Sequence, residues 1–108
     1  MTNQPTDEYW ARLARGDSGD VDFELAFLAA QEAAFILACK KQRDYGRGNI
    51  AKRGEVGVRT RLDDKFSRLE QLAATAAPAA NEAVADTWID IANYGIIGLM
   101  CHMGTWPS

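Results

Sequence analysis

Residues 81–102 read NEAVADTWIDIANYGIIGLMCH, and two patterns run through them at once. Glu82, Asp86, Asp90 and Asn93 stand at offsets 0, 4, 8 and 11, which on a helix of about 3.6 residues per turn puts four polar side chains on one face. The other faces carry Val84, Trp88, Ile89, Ile91, Ile96, Ile97 and Leu99. This spacing predicts a helix from Glu82 to about His102, capped by Asn81 and closed by Gly104 and Pro107. Its apolar run, Trp88 to Cys101, is shorter than the roughly 20 residues a bilayer requires and contains Asp90 and Asn93. The reading is therefore a buried core helix.

Upstream, Val58, Leu62, Phe66, Leu69 and Leu72 form an amphipathic stripe that predicts a helix from about Val58 to Ala76, ended by Pro78. Earlier still, Asp20 is placed to cap a long helix reaching about Arg43, rich in Ala and Leu and free of Gly and Pro. Phe23, Phe27, Ala30, Ala34 and Leu37 make its stripe, with Leu28, Glu32, Phe35 and Cys39 beside it. Between these two helices, residues 44–57 (DYGRGNIAKRGEVG) hold Gly46, Gly48, Gly54 and Gly57 without steady periodicity, which predicts an ordered, basic, Gly-rich loop. A short helix from Asp7, ended by Gly16-Asp17-Ser18-Gly19, and a flexible tail over residues 1–6 complete the chain. No run alternates as a strand would. The expected fold is all-α: a single domain over 1–108, one short and three main helices in a small bundle, completed by dimerisation because so short a chain buries limited apolar surface.

Composition narrows the function classes. A hydrophobic content of 47% with 25% charged residues is that of a folding globular chain. The opening MTNQPTDEYW lacks the basic end and long apolar run of a secretory signal. Cys39 and Cys101 have no CxxC spacing and read as buried free thiols in a reducing cytoplasm. The net charge of -3 hides a division: ten of the twelve Lys and Arg residues, against four acids, fall between Lys40 and Arg68, giving that segment +6 and the remainder -9. A short basic middle flanked by acidic segments suits a compact anionic ligand better than a long polyanion or a membrane surface.

The acidic column is the first candidate site. Carboxylates one turn apart repel, and on a greasy helix they require compensation by cations or protons. A hard divalent ion such as Mg2+ or Mn2+, held by Glu82, Asp86 and Asp90, is one solution. A solvated stripe, or one paired with Arg61, Lys65 and Arg68, is the other. Those three basic residues, at offsets 0, 4 and 7 beside the apolar stripe, are the candidate phosphate contacts; pairing with Asp64 on their own helix is the bland alternative. Asp44, Tyr45, Gly46 and Asn49 follow a helix end, where Tyr45 is placed to stack on a base and Asn49 to bond a sugar or base edge; a plain helix C-terminus and turn would look the same. His102 is the sole histidine and no serine has a nucleophile-elbow context. Metal-assisted attack by water is left as the route for any catalysis.

Taken in order, DYGRGNI (44–50), GVRTRLDDKFSRLEQL (57–72) and NEAVADTWIDIANYGII (81–97) resemble the small phage proteins of the nucleotide-modification-associated group, which are similar to MazG-type all-α nucleoside triphosphate pyrophosphohydrolases. The resemblance runs over about residues 32–98. It implies a helical bundle, often dimeric, in the cytoplasm of an infected host, where Mg2+ on acids from two helices assists cleavage of a nucleoside triphosphate to monophosphate and pyrophosphate. Carried over by position, Glu82, Asp86 and Asp90 would be metal ligands with Glu32 on the facing helix; Glu82, Asp86 and Lys65 would be catalytic. Lys65 and Arg61 would meet phosphates, and Asp44, Tyr45, Asn49, Asn93 and Tyr94 would line the nucleotide pocket. MazG-type proteins carry two ExxE or ExxD pairs on facing helices; here one helix carries ExxxDxxxD and the other Glu32. Three readings follow in order: a pyrophosphohydrolase, a nucleotide or cyclic-nucleotide sequestering module with the same pocket, and a nucleic-acid accessory protein.

Overall fold

Asp20 does what its position predicts: its Oδ1 accepts a hydrogen bond from the Phe23 amide at 3.0 Å, satisfying one of the donors that a helix start leaves open. The helix it caps runs Val21–Tyr45 (α2), after a short Asp7–Ala14 helix (α1) and before Gly48–Ala73 (α3) and Ala79–Met103 (α4). The computed structural model describes residues 7–16, 20–75 and 79–107; among these every regular element is a helix. The expected tail over 1–6, most of the Gly16–Gly19 turn and the stop at Pro78 lie outside the described residues.

The chain divides into two units, Met1–Ala33 and Ala34–Ser108. In the first, Phe23 and Phe27 meet in a tilted ring contact with centroids 5.7 Å apart, yet each is 58% exposed. The stripe expected along α2 is therefore covered only from Ala34 onward, where Ala34 is buried and Leu37 half-buried.

In the second unit the principal packing is α3 on α4. Val58 is its most deeply buried large side chain. It sits over Gly98, where an added Cβ would stand in ordinary contact, 3.4 Å from Val58 Cγ1. Ile50 and Ala80 complete the buried apolar set, while Leu62, Leu69 and Leu72 are half-buried as the stripe predicts and Phe66 is exposed.

Four expectations are corrected. Residues 44–57 are not a loop: Gly46, at φ +77, closes α2 with its amide on the Gln42 carbonyl at 2.8 Å, and α3 starts two residues later. What scrambled the periodicity is a kink inside α3 at Gly54, φ 60 and ψ -153, a conformation open essentially to glycine alone. The start of α4 is Ala79, so Asn81 lies inside the helix and not at its cap. Nor is α4 buried all round, since Trp88, Ile96 and Leu99 are about half exposed; likewise Cys39 is exposed rather than a core thiol, and neither cysteine is in a disulfide.

The end of α4 follows the chemistry of glycine termination. Gly104 takes φ +72, with its amide on the Cys101 carbonyl and the Thr105 amide on that of Met100. This turn directs Trp106 back, and its indole N–H donates to the Arg47 carbonyl at 3.2 Å, tying the end of α4 to the α2–α3 turn. No described helix is long and apolar enough to cross a membrane.

Candidate functional site

The floor of the site is set by Asn93. It is buried, and its Nδ2 donates to the Ala34 carbonyl at 2.9 Å, fixing the acidic face of α4 against the C-terminal part of α2. Six residues earlier Thr87, also buried, turns its hydroxyl to the Ala83 carbonyl at 2.7 Å. These contacts aim Asp90, which lies one turn from each, into the space between α2, α3 and α4.

Asp90 is met there by two ammonium groups. Lys41, from α2, reaches Oδ1 at 2.5 Å, and Lys65, from α3, reaches Oδ2 at 3.0 Å. The Asp90 side chain is 12% exposed, Lys65 28% and Lys41 44%. Burial alone would raise the Asp90 pKa, but the two lysine hydrogen bonds and charges outweigh it, and the carboxyl is held below its ordinary value of 3.8. At neutral pH this is one anion between two cations, a cluster of net +1.

A cleft of about 240 Å³ opens on one side of this cluster. Lys41, Arg61 and Lys65 supply three positive charges against the single charge of Asp90, and Tyr45, Asn49, Asn93 and Tyr94 give it polar and aromatic walls. The Arg61 guanidinium stands 5.9 Å over the Tyr94 ring, with a long 3.5 Å contact from its N–H to the phenol oxygen, an arrangement that pre-orients the fork while leaving most of its donors available. A second cleft, about 380 Å³, lies on the other side of the cluster and shares Lys41, Lys65 and Asp90 while adding Arg68, Asp86 and Thr87. The two form a trough whose middle is the lysine pair.

Most of the residues expected at the site are gathered by this trough. Tyr45, Asn49, Arg61, Lys65, Asp90, Asn93 and Tyr94 line the first cleft, and Arg68 and Asp86 line the second. Asp44 is exposed on the last turn of α2 and lines neither; Glu82, exposed near the start of α4, lines neither. Glu32 belongs to the N-terminal unit.

The acids do not fit a resident divalent cation as they stand. Both oxygens of Asp90 already face ammonium groups, and among the described residues no three His, Cys, Asp or Glu side chains converge as a ligand set. The donor set present is cationic and amide-bearing, which suits an anion.

Lys41 is the member of the cluster that sequence reasoning passed over. The signal was there: Ala34, Leu37 and Lys41 stand at offsets 0, 3 and 7, so a lysine continues the covered stripe of α2 toward the facing acids. Gln42, on the same wall, was missed too.

Among known proteins, a family model described as nucleotide modification associated domain 1 matches residues 41–101. The matched span begins at Lys41 and includes every side chain of the lysine–aspartate cluster. No curated protein and no solved structure matches the chain.

Proposed function

This chain belongs to the nucleotide modification associated domain 1 family, and from that premise we propose that its trough binds a nucleoside phosphate. The observation that carries the reading is the Lys41–Asp90–Lys65 cluster. Two ammonium groups from different helices are held side by side by one carboxylate, with Arg61 in the first cleft and Arg68 in the second. Phosphate oxygens take such donors as charge-assisted hydrogen bonds, Lys as a point charge and Arg as a fork. The base and sugar then fall to the Tyr45, Asn49 and Tyr94 end, where an aromatic face and an amide are available.

Within this proposal the finer reading is a MazG-like pyrophosphohydrolase, cytoplasmic and dimeric, converting a nucleoside triphosphate to monophosphate and pyrophosphate. Asp86 favours it, standing in the second cleft beside Lys65 and Arg68. Magnesium in this reading arrives on the triphosphate, because the described acids form no ready cage. The alternative, sequestering without chemistry, draws support from the double neutralisation of Asp90, which leaves its oxygens paired with lysines.

Calorimetry with a panel of NTPs, dNTPs and cyclic nucleotides, with and without Mg2+, followed by chromatography of the incubated ligand, separates these readings. Saturable binding weakened about tenfold or more in Lys65→Gln is expected, since one charge-assisted contact contributes on the order of 1.5–3 kcal/mol. Failure of every nucleotide to bind sinks the proposal. Release of pyrophosphate, abolished in Asp86→Asn, establishes the hydrolase; intact nucleotide after long incubation establishes the binding module. Oligonucleotide binding that falls steeply with salt, without mononucleotide binding, would move the trough to nucleic acid.

A further inference from the structure

Tyr45 and Asn49 line the nucleoside end of the first cleft, and the chain between them is Gly46-Arg47-Gly48. A link with glycine on both sides of its centre gives up more backbone freedom on being held still than any other. Its middle residue is held from outside. The Arg47 carbonyl accepts the first helical bond of α3, from the Ala51 amide at 3.1 Å, and a carbonyl oxygen has a second lone pair. That one takes the Trp106 indole N–H at 3.2 Å. The Arg47 side chain gives the helix start no capping hydrogen bond, so the indole does from the C-terminal turn what a local cap would do elsewhere.

The same stretch is fastened a second time. Glu55, next to the kink at Gly54, brings its Oε2 within 3.3 Å of His102 Nδ1. Trp106 and His102 thus hold the two ends of residues 47–55, the part of α3 that carries Asn49. The bend itself has little slack: at Gly57 an added Cβ would stand 2.5 Å from Arg53 Cβ, so Arg53 closes directly onto the Gly57 backbone.

We infer that Trp106 is a positioning residue for the nucleoside end of the trough: through the Arg47 carbonyl it sets how Tyr45 and Asn49 stand relative to one another, and so which base the cleft accepts. This rests on the reading of the trough as a nucleoside phosphate site. The phosphate end is organised separately, since Lys41 and Lys65 are held by Asp90 and Arg61 stands over Tyr94. Loss of the fastening therefore acts on the base and spares the phosphates. Trp106 and His102 both lie beyond the matched residues 41–101, which makes the fastening a property of this chain's own C-terminal turn.

The test is Trp106→Phe in the full chain, which keeps an aromatic ring and removes the donor. Calorimetry with the four NTPs, the four dNTPs and inorganic pyrophosphate reads the two ends of the trough separately. Hydrogen exchange of the amides of residues 46–54 reads the fastening without any ligand. Exchange is expected to quicken over 46–54 and to stay unchanged over 58–72. Pyrophosphate affinity is expected to hold within about twofold, while the best-bound nucleotide weakens about two- to tenfold, the equivalent of one net hydrogen bond, and the spread among bases narrows. Unchanged exchange, or nucleotide and pyrophosphate affinities that fall by the same factor, overturns the inference and leaves the phosphate reading standing. Failure of all nine probes to bind the unaltered chain overturns the phosphate reading, and the positioning role with it. If Trp106→Phe does not fold, Glu55→Ala releases the second fastening with Trp106 in place. It is expected to lower the ratio of nucleotide to pyrophosphate affinity about twofold, and an unmoved ratio overturns the inference.

Discussion

Replacing Asp90 by Asn distinguishes an anion site from a metal site, because the two predict opposite signs. The substitution removes the carboxylate shared by Lys41 and Lys65 and leaves two ammonium groups without their counter-ion. An exposed pair contributes about 0.2–1 kcal/mol, while breaking a fully buried one costs about 3–5 kcal/mol. Asp90 is 12% exposed but Lys41 44%, which places this cluster toward the lower bracket, about 1–2 kcal/mol of lost stability. For a domain of this size each kcal/mol moves the melting point by roughly 4–8 °C, so a fall of about 5–15 °C is expected. Affinity should move the other way. A phosphate bound beyond Lys65 lies about 6 Å from the Asp90 charge, taking the 3.0 Å Lys65–Asp90 contact and a further contact of about 3 Å. Repulsion over that distance is about 0.7 kcal/mol in water and about 2.8 kcal/mol at an effective dielectric of 20; the exposure of Lys41 favours the lower value. Calorimetry with pyrophosphate in the absence of divalent ions should therefore show binding tightened about threefold. Weakening of tenfold or more in a folded variant would refute the anion site, and an unchanged melting point would refute the assignment of Asp90 as organiser of the lysine pair.

Two further outcomes follow from the same geometry. Because the folded-state pKa of Asp90 lies below its ordinary 3.8, its pairing stabilises the protein above that value and is lost as pH falls through the depressed one; the gap in melting point between the unaltered chain and Asp90→Asn should be constant near neutrality and close below about pH 4. Gly54→Ala meets no atom within 4 Å but must hold φ 60 and ψ -153, so chemical denaturation should show a loss of about 1–3 kcal/mol. An ordinary mid-helix glycine would instead gain up to about 1 kcal/mol on the same change, so a stabilised variant would show that the kink is not required.

Much of the helical layout could be read from local rules, and the places where reading failed share a cause. Asp20 as a cap, the stripe through Val58, Leu62 and Leu69, and the stop at Gly104 each depend on a few neighbouring residues. The segment 44–57 failed because a single backbone angle at Gly54 shifts the phase of everything before it: two helical turns on either side of a kink do not add to one periodicity. Trp106 was similarly silent, since its hydrogen bond to Arg47 spans most of the unit and follows from how Gly104 turns the chain. Apolar width was a further trap. Trp88, Ile96 and Leu99 surround α4 in sequence as core residues would, yet they are exposed in the single chain, and nothing local separates a face buried within a chain from one covered by another molecule.

The acidic column shows how a sound physical rule can leave its answer open. Carboxylates spaced by full turns on a greasy helix do require positive charge, and at Asp90 that requirement is met by lysines contributed from α2 and α3. The same rule then applies in reverse to the lysines. Lys41, Arg61, Lys65 and Arg68 bring four positive charges to the trough, against two from Asp86 and Asp90, so the internal pairing leaves two charges unmatched between the helices. A carboxylate that fixes two ammonium groups in place lowers the ordering cost of an incoming anion, which partly offsets the repulsion its own charge adds. In the proposed reading Asp90 thus acts on a ligand it need not touch: it positions the two lysines, and the surplus cations receive the phosphate.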